Sequence, residues 1–81
     1  MRVIVEKKIW DKRSPKTYHI NYIEAEIDDC NDIHITHGNS YYKRGKNDGG
    51  NGHGYYVNIK EAKALIKCLK WGIKKLNIQR Q

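Results

Sequence analysis

Phenylalanine is absent from this chain, proline occurs once, at Pro15, and cysteine twice, at Cys30 and Cys68. No apolar run approaches the roughly 20 residues that cross a bilayer. There is also no charged-then-apolar leader ending in a small-residue cleavage site. These absences point to a soluble, cytoplasmic protein with no membrane partner. The two cysteines lie far apart in sequence and read as reduced thiols. Carboxylates are scarce as well: 9 Asp and Glu stand against 16 Lys and Arg, a formal charge of +7. Such a field favours polyanions or an acidic protein surface.

Glycine is nearly confined to one stretch. Five of the seven glycines fall within "YYKRGKNDGGNGHGYY", residues 41–56, leaving only Gly38 and Gly72 elsewhere. The segment between the two tyrosine pairs exceeds the usual hairpin length. Glycine loses more freedom on ordering than any other residue, so the expectation is a mobile, basic hairpin tip over about 44–54. Lys43, Arg44 and Lys46 sit at its base, with Tyr41, Tyr42 and Tyr55 flanking it.

What is present is enough for one small domain. Of the 81 residues, 38% are hydrophobic and 31% charged, too apolar and too ordered in pattern for a disordered chain. A domain of this size buries only about 60 to 65% of its unfolded surface, so its stability is modest. Lysine outnumbers arginine 12 to 4, and there are 11 Ile and 7 Asn. That usage suggests AT-rich coding, as in a low-GC bacterium or its phage.

Residues 2–10 alternate Val3, Val5 and Ile9 against Arg2, Glu6 and Lys8, the period of a strand with one buried face, with Ile4 and Trp10 on the other side. Ser14 and Pro15 supply a turn. Residues 17–28 form a second strand whose apolar phase flips between Tyr22 and Ile23, which reads as a bulge. "DDCND" is the next turn. A third strand covers 32–43, with a weak point at Gly38 and Asn39, and a last strand covers 54–58.

From Asn58 the period becomes helical. Asn58 and Glu61 are spaced as a capping box, and Ala62, Leu65, Ile66, Leu69, Ile73 and Leu76 recur on one stripe, giving a helix over about 59–76. The fold class is therefore α+β: an antiparallel meander of four or five strands with one C-terminal amphipathic helix on one face. At about 100° per residue, Lys60, Lys63, Lys67, Lys70 and Lys74 fall on the side opposite the apolar stripe. Glu61 is the only carboxylate in the helix, so the usual Glu–Lys pairs are missing and the lysines form a continuous ridge suited to phosphates. The sheet face away from the helix is open to solvent, to a ligand, or to a second copy in a homodimer.

Chemistry of other kinds finds little support. "GNGHG" leads into a strand and lacks the helix N-terminus that lets glycine loops hold phosphate. Cys30, His34, His37 and His53 have no standard metal-ligand spacing, and His34 and His37 fall on opposite faces of a strand. Two histidines with a lysine suit acid–base cleavage of RNA, but nothing in the sequence pairs them. The expectation is a non-catalytic nucleic-acid-binding module without metal or cofactor. Its contact residues are Lys43, Arg44, Lys46, the five ridge lysines, Tyr41, Tyr42 and Tyr55. The rival is a small phage-type inhibitor or adaptor that binds a protein of nucleic-acid metabolism.

Overall fold

A computed structural model describes residues 1–79. Four strands, β1 (Arg2–Ile9), β2 (Tyr18–Ile27), β3 (Ile33–Lys43) and β4 (Lys46–Val57), precede one helix, α1 (Ile59–Gln79). The strands form one antiparallel sheet in sequence order, an open meander. Among the described residues no peptide bond is cis.

Cross-strand partners share a face, and faces alternate along each strand. One face carries Val3, Ile23, Ala25, Ile35, His37 and Tyr55, and we call it the groove face. The other carries Tyr18, Tyr22, His34, Tyr42 and Tyr56, and we call it the ring face. The phase flip in β2 is not a bulge. The β2–β3 register runs unbroken from Tyr18↔Tyr42 to Ile27↔Ile33. Instead the strand buries different faces at its two ends. Toward Tyr18 the packed side is the ring face, where Ile20 (4% exposed) lies opposite Ser40 (8% exposed). Toward Ile27 the packed side is the groove face, where Val57 is 8% exposed. The bulge lies in β1 at Val5, where the register slips between Ile4 and Glu6. It moves Ile9 onto the face of Ile4, against the expected grouping of Ile9 with Val3.

The largest correction concerns the glycine-rich stretch. Residues 46–57 are strand, paired residue by residue with β3: His37 with His53, Gly38 with Gly52, Asn39 with Asn51 and Ser40 with Gly50. Two glycines, Gly38 of β3 and Gly54 of β4, answer to rings on neighbouring strands, and Gly50 to the close main chain of Asn39 and Ser40. The Tyr22 ring lies where a Cβ on Gly38 would stand, and the His34 ring occupies the same space over Gly54. The β3–β4 register also slips between Ser40 and Tyr42, where β4 carries one extra residue and Gly49 takes φ +127°. The reversal itself needs only Arg44 and Gly45, at φ 55° and 83°. Two successive positive φ values describe a type I′ turn, whose twist matches that of the strands.

Each other connection is closed by its own polar residues. In the β2–β3 turn Asp28 Oδ1 accepts from the amides of Cys30 and Asp32, both at 2.9 Å. Asn31 supplies the left-handed residue there, at φ 62°. The helix opens on the reciprocal capping box: the Glu61 amide donates to Asn58 Oδ1 at 2.9 Å, and the Asn58 amide donates to Glu61 Oε1 at 3.0 Å. The first turns of α1 lie over the groove face, with Ala62, Leu65, Ile66 and Leu69 facing Ile23, Ile35, His37 and Tyr55. No residue of α1 is buried. Among the described residues no helix is long and apolar enough to cross a membrane.

Candidate functional site

In an up-and-down meander the first and third connections share one end of the sheet. Here that rule gathers charge. Lys7 and Lys8 end β1, Lys12, Arg13 and Lys16 lie in the β1–β2 connection, and Lys43, Arg44 and Lys46 frame the β3–β4 turn. The two segments are tied together. The Gly45 amide donates to the Lys16 carbonyl at 3.0 Å, and the Arg44 amide donates to Thr17 Oγ1 at 3.3 Å. The β1–β2 connection is braced in turn: the Thr17 amide donates to the Ser14 carbonyl at 3.0 Å, and the Trp10 amide donates to the Thr17 carbonyl at 3.2 Å.

Within residues 7–16 and 43–46 Asp11 is the only carboxylate, and it is engaged with the amide of Arg13 at 2.9 Å; Glu6 and Asp48 flank the two segments. Glu24, Glu26, Asp28, Asp29 and Asp32 collect at the opposite end, around the β2–β3 turn. The sheet is therefore polarised along its strands. At the tip, Lys43, Arg44, Lys46, Asn47 and Asp48 line an open concavity of about 420 Å³.

Aromatic rings stand among these cations. Tyr18 and Tyr42 stack at 4.8 Å with planes 20° apart, and Lys7 Nζ lies 4.2 Å from the Tyr18 ring centre. Lys8 Nζ lies 4.7 Å from the exposed ring of Trp10. The stacked pair holds the ends of β2 and β3 together, while Trp10 offers its ring to solvent.

The residues expected to form the site divide into separate groups. Lys43, Arg44 and Lys46 are exposed at the basic end, and Tyr42 joins them through its stack on Tyr18. Tyr41 is half-buried opposite His19. Tyr55 lies elsewhere, under α1 on the groove face. Lys60, Lys63, Lys67, Lys70 and Lys74 are all exposed along α1. That helix leaves the sheet beside the acidic turn, since Val57 pairs with Ile33.

Five cations of the basic end, Lys7, Lys8, Lys12, Arg13 and Lys16, escaped the reading of the sequence, as did Trp10 and Tyr18. The signal was available: once a meander is assigned, connections one and three must meet. At the other end Arg2 pairs with Glu24 at 3.1 Å and lies 3.9 Å from the Tyr22 ring centre. The hydrogen bond to Glu24 raises the Arg2 guanidinium above its ordinary value.

The histidines separate by face. His34 stacks on Tyr56 at 4.5 Å on the ring face, whereas His37 and His53 are cross-strand partners on the groove face. Among the described residues no group of three or more His, Cys, Asp or Glu side chains converges. Comparison of the chain with family models, with curated proteins and with solved structures finds no match.

Proposed function

We propose that this chain is a small non-catalytic module that binds nucleic acid by gripping the phosphate backbone with the basic end of its sheet. One observation carries the reading: the topology joins two basic segments, residues 7–16 and 43–46, at one end through hydrogen bonds, while five of the nine carboxylates gather at the other. Lysine and arginine side chains on a braced end neutralise phosphates without reading bases, so binding is broad in sequence and sensitive to salt. Exposed Trp10 supplies a surface on which an unpaired base can stack. The lysine ridge of α1 adds a second, weaker line of contact.

Arg44 supports this reading from the backbone. A type I′ turn favours Asn or Gly at its first central position, because a Cβ is strained at positive φ; Gly has none, and the short polar side chain of Asn offsets part of the cost by bonding locally. Arginine at φ 55° sacrifices hairpin stability, and a charge wanted at the apex accounts for it.

The test is a fluorescence titration with short oligonucleotides. A Trp71→Tyr background leaves Trp10 as the sole tryptophan. Binding should quench or shift the Trp10 emission and weaken steeply with salt. An inhibitor or adaptor that docks on a protein would instead be captured with its partner after nuclease treatment, and its affinity would vary little with salt.

A further inference from the structure

The groove face and α1 together are half of a core. The groove between them, lined by Ile23, Ile35, Tyr55, Leu65, Ile66 and Leu69, measures about 340 Å³ and is almost wholly apolar. Val3, Val5 and Ile23 lie exposed beside it on the sheet. On α1 the apolar stripe continues from Leu69 at the groove's edge (56% exposed) past it to Ile73 and Leu76, 59% and 55% exposed. The helix is about 31 Å long at 1.5 Å per residue, while four strands about 4.8 Å apart span roughly half of that. The sheet lacks part of its cover, and the helix lacks part of its sheet.

The deficit is large. A compact monomer of 9.5 kDa exposes roughly 5,000 Å² by surface scaling, whereas this chain exposes 7139 Å². The excess is about 2,000 Å² per chain, hence about 4,000 Å² for a pair. Obligate homodimers bury about 2,000 to 5,000 Å² in total.

We propose that a second copy of this chain covers the groove face and the free half of α1, making an isologous homodimer. A two-fold axis lets each chain supply what the other lacks: the uncovered part of one sheet receives the exposed stripe of the partner helix. Charge permits it. His37 is the one titratable residue lining the groove, Val3, Val5, Ile73 and Leu76 are uncharged, Glu6 and Lys8 on the same face lie toward the basic end, and the ridge lysines stand on the opposite side of α1. Two chains of +7 can therefore meet on this face while their basic ends stay in water. The proposal does not depend on what the basic end binds.

Sedimentation equilibrium on the purified chain tests it. The expected mass is twice 9.5 kDa at about 10 to 100 µM. Leu69→Asp with Ile73→Asp should raise the dissociation constant more than about 100-fold, because each carboxylate would have to be buried unpaired. Wild type sedimenting as a single chain over that range overturns the proposal, whether the face then binds another protein, a lipid surface or nothing. A double variant that keeps the wild-type mass also overturns it. If the double variant does not fold, thermal melting of wild type decides. A midpoint that rises with protein concentration supports the dimer, and a midpoint independent of concentration rejects it.

Discussion

Replacing Arg44 with asparagine should make the protein more stable and a weaker binder. Arg44 holds φ 55° at the first central position of a type I′ turn, followed by Gly45 at φ 83°. The left-handed region costs an ordinary L-residue about 1 to 2 kcal/mol, and asparagine is among the few side chains that relieve part of this. Arg44→Asn restores the favoured Asn-Gly pair, for an expected gain of about 0.5 to 1 kcal/mol. In a domain of this length that raises the melting midpoint by roughly 2 to 8 °C. The hydrogen bonds that seat the turn, from the Arg44 amide to Thr17 Oγ1 and from the Gly45 amide to the Lys16 carbonyl, use main-chain donors and survive the change. Loss of the guanidinium removes one phosphate contact, so the salt slope should shrink by about 0.9 on duplex DNA or 0.7 on a single strand. Circular dichroism melting gives the first quantity and oligonucleotide titration at several salt concentrations the second. A lowered midpoint would mean that the arginine side chain itself stabilises the hairpin. Unchanged binding would remove Arg44 from the contact surface.

Three further predictions address the fold and the helix. Gly72→Ala should stabilise by about 1 kcal/mol, since nothing lies within 4 Å of the added Cβ and α1 loses a weak helix former. Gly50→Ala should destabilise by roughly 1 to 3 kcal/mol, because its Cβ would meet the Asn39 carbonyl oxygen and the Ser40 Cα. Equal melting of Gly50→Ala and wild type would contradict the tight β3–β4 approach. Changing Lys63, Lys67, Lys70 and Lys74 to glutamine should leave the helix intact and stability equal or slightly higher, with like-charge repulsion removed. The salt slope should fall less than it does when Lys43, Arg44 and Lys46 are changed. The reverse order would move the main contact to α1.

Features written in local chemistry were legible in the sequence. Asn58 and Glu61 marked the start of α1 because a capping box is complete within four residues, and the Asp-rich turn at 28–32 closes on its own side chains. β4 was not legible, because Gly, Asn and His are poor strand formers by themselves. Its cause lies on β3: the His34 ring needs bare backbone beneath it at Gly54, and the Asn39–Ser40 main chain approaches Gly50 too closely for a Cβ. The phase flip in β2 was visible but ambiguous. An apolar switch between faces has the same pattern whether the chain bulges or the covered side changes, and only the register with β3 separates the two. The basic end was half seen. Lys43, Arg44 and Lys46 drew notice beside the glycines, whereas Lys7 to Lys16 became part of the same surface only through the meander.

The salt dependence of nucleic-acid affinity tests the central claim most directly. With about four to six phosphates held by the basic end, log affinity against log salt should have a slope of about −3.6 to −5.4 on duplex DNA, and affinity should fall roughly 150- to 1,800-fold between about 50 and 200 mM salt. Replacing Lys43, Arg44 and Lys46 with glutamine should flatten that slope by up to about 2.7. A slope shallower than about −1, or a steep slope that the triple variant leaves unchanged, would contradict the account.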